Sequence, residues 1–142
     1  MQVTGKEQYV EFGVENEQYA IRIQDIHEII KMQEITPIPN MREFVKGVIN
    51  LRGTIVPVIS LRCLFDMAET EVTKSSRIVV VHHQEEAIGI IVDYVNKVTT
   101  FSDIQLPPER VGGVNGGFFT GIGVADNGLV GILQLDEVLL HE

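Results

Sequence analysis

Two polar side chains sit in apolar surroundings that call for a partner. Glu28 lies within Ile26-His27-Glu28-Ile29-Ile30, and Arg52 lies in the polar break Arg52-Gly53-Thr54 between the apolar runs Val48–Leu51 and Ile55–Ile59. Either charge is costly if buried alone. Opposite charges on neighbouring strands can pair and fix each other's geometry at a surface, which is the chemistry of recognition rather than of catalysis. At this point two readings stand: an ion pair placed for a partner, or two solvated surface charges.

The other residues with chemical potential do not assemble into a catalytic set. Cys63 has no sequence-adjacent histidine and reads as a structural thiol. His82-His83 are neighbours on a predicted strand, so their side chains point to opposite faces. No Cys-x-x-Cys or His-x-x-x-His spacing supplies further metal ligands. Ser60, Ser75, Ser76 and Ser102 lie in no nucleophile-elbow context. The glycines of Gly112–Gly117 lack the lysine and the strand-to-helix setting of a phosphate cradle. The expectation is a protein that is not an enzyme and needs no metal or cofactor.

The elements that must position Glu28 and Arg52 are short strands. Gly47–Leu61 reads as a β-hairpin with Arg52-Gly53 at its tip, the glycine supplying the reversal. Pro57 cannot donate to a ladder and is expected at an edge or a bulge. Val10, Phe12 and Val14 alternate with polar residues or glycine, and Tyr19, Ile21 and Ile23 repeat the alternation after a turn at Asn16-Glu17, giving a hairpin with one wet face. A bend at Gln24-Asp25 leads into a strand over Ile26–Met32. Thr36-Pro37-Ile38-Pro39-Asn40 is a stiff connector, and Ser60 caps a short helix striped by Leu61, Leu64 and Phe65. Ala68–Ser76 reads as a surface linker.

After that linker the pattern restarts. Strands are expected over Arg77–His83, Ala87–Val92 and up to Phe101, followed by a long loop. A hairpin then turns at Asp126-Asn127-Gly128, and Leu135, Val138 and Leu139 stripe a terminal helix. At an offset of 69, Phe12, Ile21, Ile23, Ile26 and Ile29 meet Val81, Ile90, Val92, Val95 and Val98. At an offset of 74, Gly47-Val48 meets Gly121-Ile122 and Leu61 meets Leu135. Glu28 then corresponds to Lys97 and Arg52 to Asp126, the same pairing with signs reversed. The chain therefore reads as a mostly β domain over residues 1–142 built from two similar halves, approximately 8–67 and 77–140. Strand exchange between the halves is left open. Five short strands per half are best protected by curling into a small barrel, and about 65 residues per half is marginal alone.

Charge restricts the partners. The net charge is −9 over 142 residues. Residues 1–21 carry one lysine against four acids, 22–62 six bases against four acids, and 63–142 four bases against twelve acids. A small barrel binding nucleic acid or another polyanion is the rival class; this acidic body argues against it, and there is no tryptophan to stack on. Apolar runs reach only about five residues where a membrane span needs about 20. The first eight residues lack the apolar core of a signal peptide. A lone cysteine is consistent with the cytoplasm.

The run Lys46-Gly47-Val48-Ile49-Asn50-Leu51-Arg52-Gly53-Thr54-Ile55-Val56-Pro57-Val58-Ile59 closely resembles the signature of the CheW family of chemotaxis coupling proteins. Ile26–Ile30 and Gly89-Ile90-Ile91-Val92-Asp93-Tyr94-Val95 agree with it, in family order. The resemblance implies a stand-alone coupler of two five-stranded SH3-like β-barrels packed together, with short closing helices. It implies an adaptor, monomeric alone, that bridges the cytoplasmic tips of chemoreceptors to the chemotaxis histidine kinase in membrane-associated arrays, with no nucleic acid bound and no membrane insertion. The family's receptor groove maps to Ile26, Glu28, Gly47, Arg52, Val95 and Val98. Its contact with the kinase regulatory domain maps to Ile35, Thr36, Ile38, Pro108 and Val111. The loop Leu106–Val114 is about two residues shorter than in a common enteric version.

Overall fold

The period-2 stretches become strands wherever one face is apolar. The structure, a computed structural model, describes residues 7–126 and 128–139. The N-terminal stretch 1–6, read as lacking a signal core, and Asn127 of the expected Asn-Gly turn lie outside the described residues. In chain order the strands are β1 (Tyr9–Val14), β2 (Glu17–Arg22), β3 (Ile26–Lys31), β4 (Val45–Leu51), β5 (Thr54–Ser60), β6 (Arg77–His83), β7 (Glu86–Val92), β8 (Tyr94–Thr99), β9 (Ile104–Gln105), β10 (Arg110–Val111), β11 (Val114–Asn115), β12 (Phe119–Ala125) and β13 (Gly128–Leu133). Helix α1 (Leu61–Leu64) follows β5 and α2 (Leu135–Leu139) follows β13. Ser60 caps α1 as expected, its Oγ accepting the Cys63 N–H at 3.1 Å. The bend at Gln24-Asp25 is a single 3-10 turn, Ile23–Asp25. The long loop after β8 carries β9, β10 and β11, which its glycines and prolines had concealed.

Two compact units divide the chain. One is Asp25–Val95; the other comprises the described residues of Met1–Gln24 and Asn96–Glu142. The exchange of strands left open above is extensive. In Asp25–Val95 the sheet order is β3-β6-β7-β5-β4, so β6 and β7 from beyond the linker stand between β3 and the β4–β5 hairpin. β5 and β7 run parallel, with Val58 opposite Gly89 and Ser60 opposite Ile91. Ile49, Val56, Val58, Ile78 and Val80 form the buried core, with Ile30, Ile35 and Leu51 packed on it. In the other unit the order is β8-β1-β2-β13-β12-β9, with a parallel β2–β13 pair, and β10–β11 make a separate ribbon. Its core includes Tyr9, Ala20, Phe101, Val130 and Ile132, with the Tyr9 and Phe101 rings 5.1 Å apart.

The expected SH3-like barrels are not present. Both sheets are open: β3 and β4 are unpaired with each other, as are β8 and β9. The expectation rested on the need to protect edges, and this chain protects them without closure. Thr36 covers part of β4, exchanging two backbone hydrogen bonds of 2.9 Å with Val48. β9 is only two residues long, and β3 carries charged residues along its length. The position of Pro57 also differs from the expectation, because β5 is an inner strand. Pro57 faces Val48, whose N–H and C=O both turn outward to Thr36, and pairing of β5 with β7 begins only at Val58. Neither neighbour asks for its missing N–H.

Gly47 makes the covered edge possible. It sits at a bulge in β4 with φ +145°, and a Cβ there would run into the carbonyl of Thr36 and lie 3.0 Å from the Ile35 side chain. At the tip, Gly53 has φ +89° but open space around it. Gly47→Ala is therefore expected to cost about 2–4 kcal/mol, combining backbone strain with a backbone clash. Gly53→Ala should cost only about 1 kcal/mol, for conformation alone. Urea denaturation of both variants checks this, and equal losses would contradict the close approach of the connector.

A second expectation concerns alkaline stability. Burial pushes the Tyr19 phenol well above its ordinary range, with Glu17 and Glu15 adding to the effect. A group raised in the fold contributes stability that is full below its unfolded value near 10 and is lost as pH rises beyond it. Urea midpoints measured from pH 8 to 11.5 should fall above about pH 10, and Tyr19→Phe should flatten that fall.

Candidate protein-docking site

Glu28 lies on edge strand β3 and Arg52 at the β4–β5 tip, with the other edge strand in the same hairpin. Their side chains form an ion pair, Arg52 Nη2 donating to Glu28 Oε2. The tip is a two-residue turn in which Arg52 (φ +51°) and Gly53 (φ +89°) are both left-handed, as a tight hairpin requires. The Gly53 N–H is held by Asn50 Oδ1 at 2.8 Å. The Arg52 side chain is 66% exposed and that of Glu28 25%. An ion pair this open contributes little stability. What it fixes is where a guanidinium and a carboxylate stand on the surface.

A β-bulge sets the surroundings of Glu28. β3 pairs with β6 as Ile26 opposite Val81 and Glu28 opposite Val80, which leaves His27 as the extra residue. The bulge disrupts the ladder locally, and His27 Nε2 comes within 3.6 Å of Glu28 Oε2 although burial still alternates along β3. On its other side His27 Nδ1 lies 2.9 Å from His82 Nε2. His27 was missed in the sequence because nothing local marks a bulge. His82 was weighed only with His83, the wrong neighbour.

The remaining sequence-derived positions divide by unit. Ile26 and Val95 are half-buried in Asp25–Val95, and Val98 is 51% exposed on β8 in the other unit. Gly47 is buried and offers no side chain; it admits Thr36 and Ile35. Ile35 packs on the core, while Thr36 and Ile38 are exposed. Pro108 and Val111 line a cleft of about 250 Å³ with Tyr19, Ile122 and Leu129. The structure thus brings together Glu28 with Arg52, Gly47 with Ile35 and Thr36, and Pro108 with Val111.

A second arginine has a different task. Arg62 forms a fork with Asp93, Nε to Oδ1 at 3.2 Å and Nη2 to Oδ2 at 2.6 Å, and Nη1 donates to the Ala68 carbonyl at 2.9 Å. Its side chain is only 13% exposed. Glu69 accepts from Ser60 and pairs with Lys46, both at 3.0 Å. The linker after α1 is therefore fastened to the sheet by charge. Burial, with Glu43 next, pushes the Cys63 thiol up, away from the reactive thiolate. Among the described residues no group of three His, Cys, Asp or Glu side chains is placed to hold a metal.

A family model described as "CheW-like domain" matches residues 8–142. The chain belongs to the CheW-like domain family. It is 35% identical over 134 residues to the "Chemotaxis protein CheW" of Helicobacter pylori, covering 93% of this chain and 81% of that one. The Bacillus subtilis protein of the same description is 34% identical, covering 96% and 88%. The crystal structure of "scaffolding protein TtCheW" from Thermoanaerobacter tengcongensis superposes with a TM-score of 0.86 at 35% identity, covering 94% of this chain and 88% of that one. As a CheW-family member this chain is a non-catalytic chemotaxis scaffold, the kind that couples receptors to the chemotaxis histidine kinase. No helix among the described residues is long and apolar enough to cross a membrane.

The two arginines separate orientation from stability. In a double-mutant cycle, Glu28→Gln and Arg52→Gln are expected to couple by about 0.2–1 kcal/mol, shrinking in 1 M salt. Arg62→Gln should cost more than Arg52→Gln, about 2 kcal/mol, since it strips a half-buried carboxylate of its fork. Equal costs in urea denaturation would contradict the assignment of Arg62 to the fold.

Proposed function

We propose that the Glu28–Arg52 pair is the polar centre of the receptor contact, with Ile26 and Val95 of the same unit as apolar contributors to receptor binding and Val98, of the other unit, as a further one. The observation that carries this reading is an ion pair held in place by an edge strand and a hairpin tip, with the glutamate half-buried and the arginine left largely open to solvent. Apolar side chains supply the attraction for a helical receptor tip and charges at the rim orient it. Gly47 serves this surface through the backbone.

The kinase regulatory domain docks elsewhere, on the connector bearing Thr36 and Ile38 and on the cleft edged by Pro108 and Val111. Ile35 supports the connector from beneath. The scaffold works in the cytoplasm, is monomeric on its own, and is recruited to membrane-associated arrays by the receptor tips. Holding two partners at once raises their effective concentration and fixes their relative geometry.

The test uses retention of the full chain on a receptor cytoplasmic fragment, with and without the kinase regulatory domain. Arg52→Glu and Glu28→Arg are each expected to lower receptor retention several-fold while leaving the urea midpoint nearly unchanged. Ile38→Asp should reduce retention of the regulatory domain and spare the receptor. Unchanged kinase activation in reconstituted arrays with both charge variants would sink the receptor assignment.

A further inference from the structure

The exposed pair does not stand alone. His82 Nε2 faces His27 Nδ1 at 2.9 Å, with the rings edge to face at 76° and 4.5 Å between centroids. His27 Nε2 in turn faces Glu28 Oε2 at 3.6 Å. That oxygen is the same one Arg52 takes. Four side chains from β3, β6 and the β4–β5 tip thus form one chain of contacts, His82–His27–Glu28–Arg52.

We propose that His27 and His82 are positioning residues for the Glu28–Arg52 pair, their proton occupancy deciding whether Glu28 is held by Arg52 or drawn to His27. Two imidazole nitrogens at this distance share one hydrogen bond, which needs one donor and one acceptor. With both rings charged there is no acceptor, and two like charges face each other. The pair must then open. His27, now a cation beside Glu28 Oε2, competes with Arg52 for a single carboxylate oxygen. As a class, imidazoles change charge between about pH 5 and 8. The arrangement that holds Arg52 is therefore the one with an uncharged imidazole pair, and protonation of both rings works against it.

The charges around His27 support this direction. Glu28 on its own strand, His82 on β6 and Arg52 at the tip face the cluster. The other ionisable groups of β6 are Arg77, opposite Lys31 at the far end of the strand pair, and His83, whose side chain points to the other face. Asp25 lies in the 3-10 turn that precedes β3. Arg52 is thus the cation that His27 displaces.

The functional part of this proposal rests on reading Glu28–Arg52 as the receptor contact, so the experiment has one arm without a receptor. In the free protein, the Arg52 guanidinium and histidine ring signals are followed by NMR from pH 8 to 5.5. The Arg52 signal is expected to move with His27, and His27→Gln to abolish that movement. His82→Gln should remove the ring partner of His27 and change how the Arg52 signal follows it. In the second arm, affinity for the receptor fragment is expected to fall roughly three- to fivefold over the same range, and His27→Gln to flatten the profile. An Arg52 signal that is pH-insensitive, or that moves equally in His27→Gln, overturns the proposal. So does receptor binding that requires Arg52 but has the same pH profile in wild type and His27→Gln. If Arg52 tracks His27 while Arg52→Glu leaves receptor binding intact, the receptor assignment fails and the positioning role stands.

Discussion

Two short parallel ladders determine what this chain can present. β5 meets β7 through Val58–Ser60 and Gly89–Ile91, and β2 meets β13 through Tyr19-Ala20 and Gly131-Ile132. Antiparallel hairpins form locally, but a parallel pair requires a long return of the chain. In Asp25–Val95 the consequence is direct. β3, which carries Glu28, reaches the hairpin that carries Arg52 only across β6 and β7. The ion pair therefore exists only when residues from beyond the linker are seated between two elements that precede it. Within this unit the paired charges are a product of tertiary assembly, not of a local motif.

That dependence explains the division of labour between the two arginines. Arg62 donates from three nitrogens to Asp93 and Ala68 and is largely withdrawn from water. It fastens α1 and the linker to the sheet, and its charge is spent inside the fold. Arg52 sits on a turn whose backbone is fixed by its own hairpin, so its guanidinium is free of any such duty. A half-buried partner such as Glu28 suits a group that is itself mostly exposed and able to engage something else. A deeply buried partner would hold Arg52 too strongly to be exchanged.

Much of this was legible in the residues. The alternation at Val10–Val14, the β-branched runs around Arg52 and the Ser60 cap all act over a few positions, and each produced its strand or helix, although β1 is buried at every position, Glu11 included, where one wet face was expected. What sequence could not show was which strands share a sheet, because ladders such as β5–β7 depend on pairings some thirty residues apart. Edge management was equally hidden. Barrel closure was the general answer to exposed edges, whereas this chain uses Thr36 over Val48, admitted by the missing side chain of Gly47. The bulge in β3, at which His27 approaches Glu28, is likewise marked by no local residue type. The ordinary rule for adjacent strand residues, applied to His82-His83, hid the partner of His82 on the neighbouring strand.

The guarded edges also bear on how partners bind. An open edge invites strand addition, in which main-chain groups supply the affinity. Here β4 is occupied at Val48, β3 is bent by its bulge and lined with His27, Glu28 and Lys31, and β9 offers two residues. β8, the other long edge, carries exposed Asn96 and Lys97. Strand addition is disfavoured at each of these places. What is left to a partner is side chains standing on rigid elements, such as the Glu28 carboxylate oxygen that Arg52 takes and His27 approaches at 3.6 Å. A scaffold that must hold two partners in fixed relation gains from this arrangement, since side-chain contacts on a sheet set orientation in a way that a sliding strand cannot.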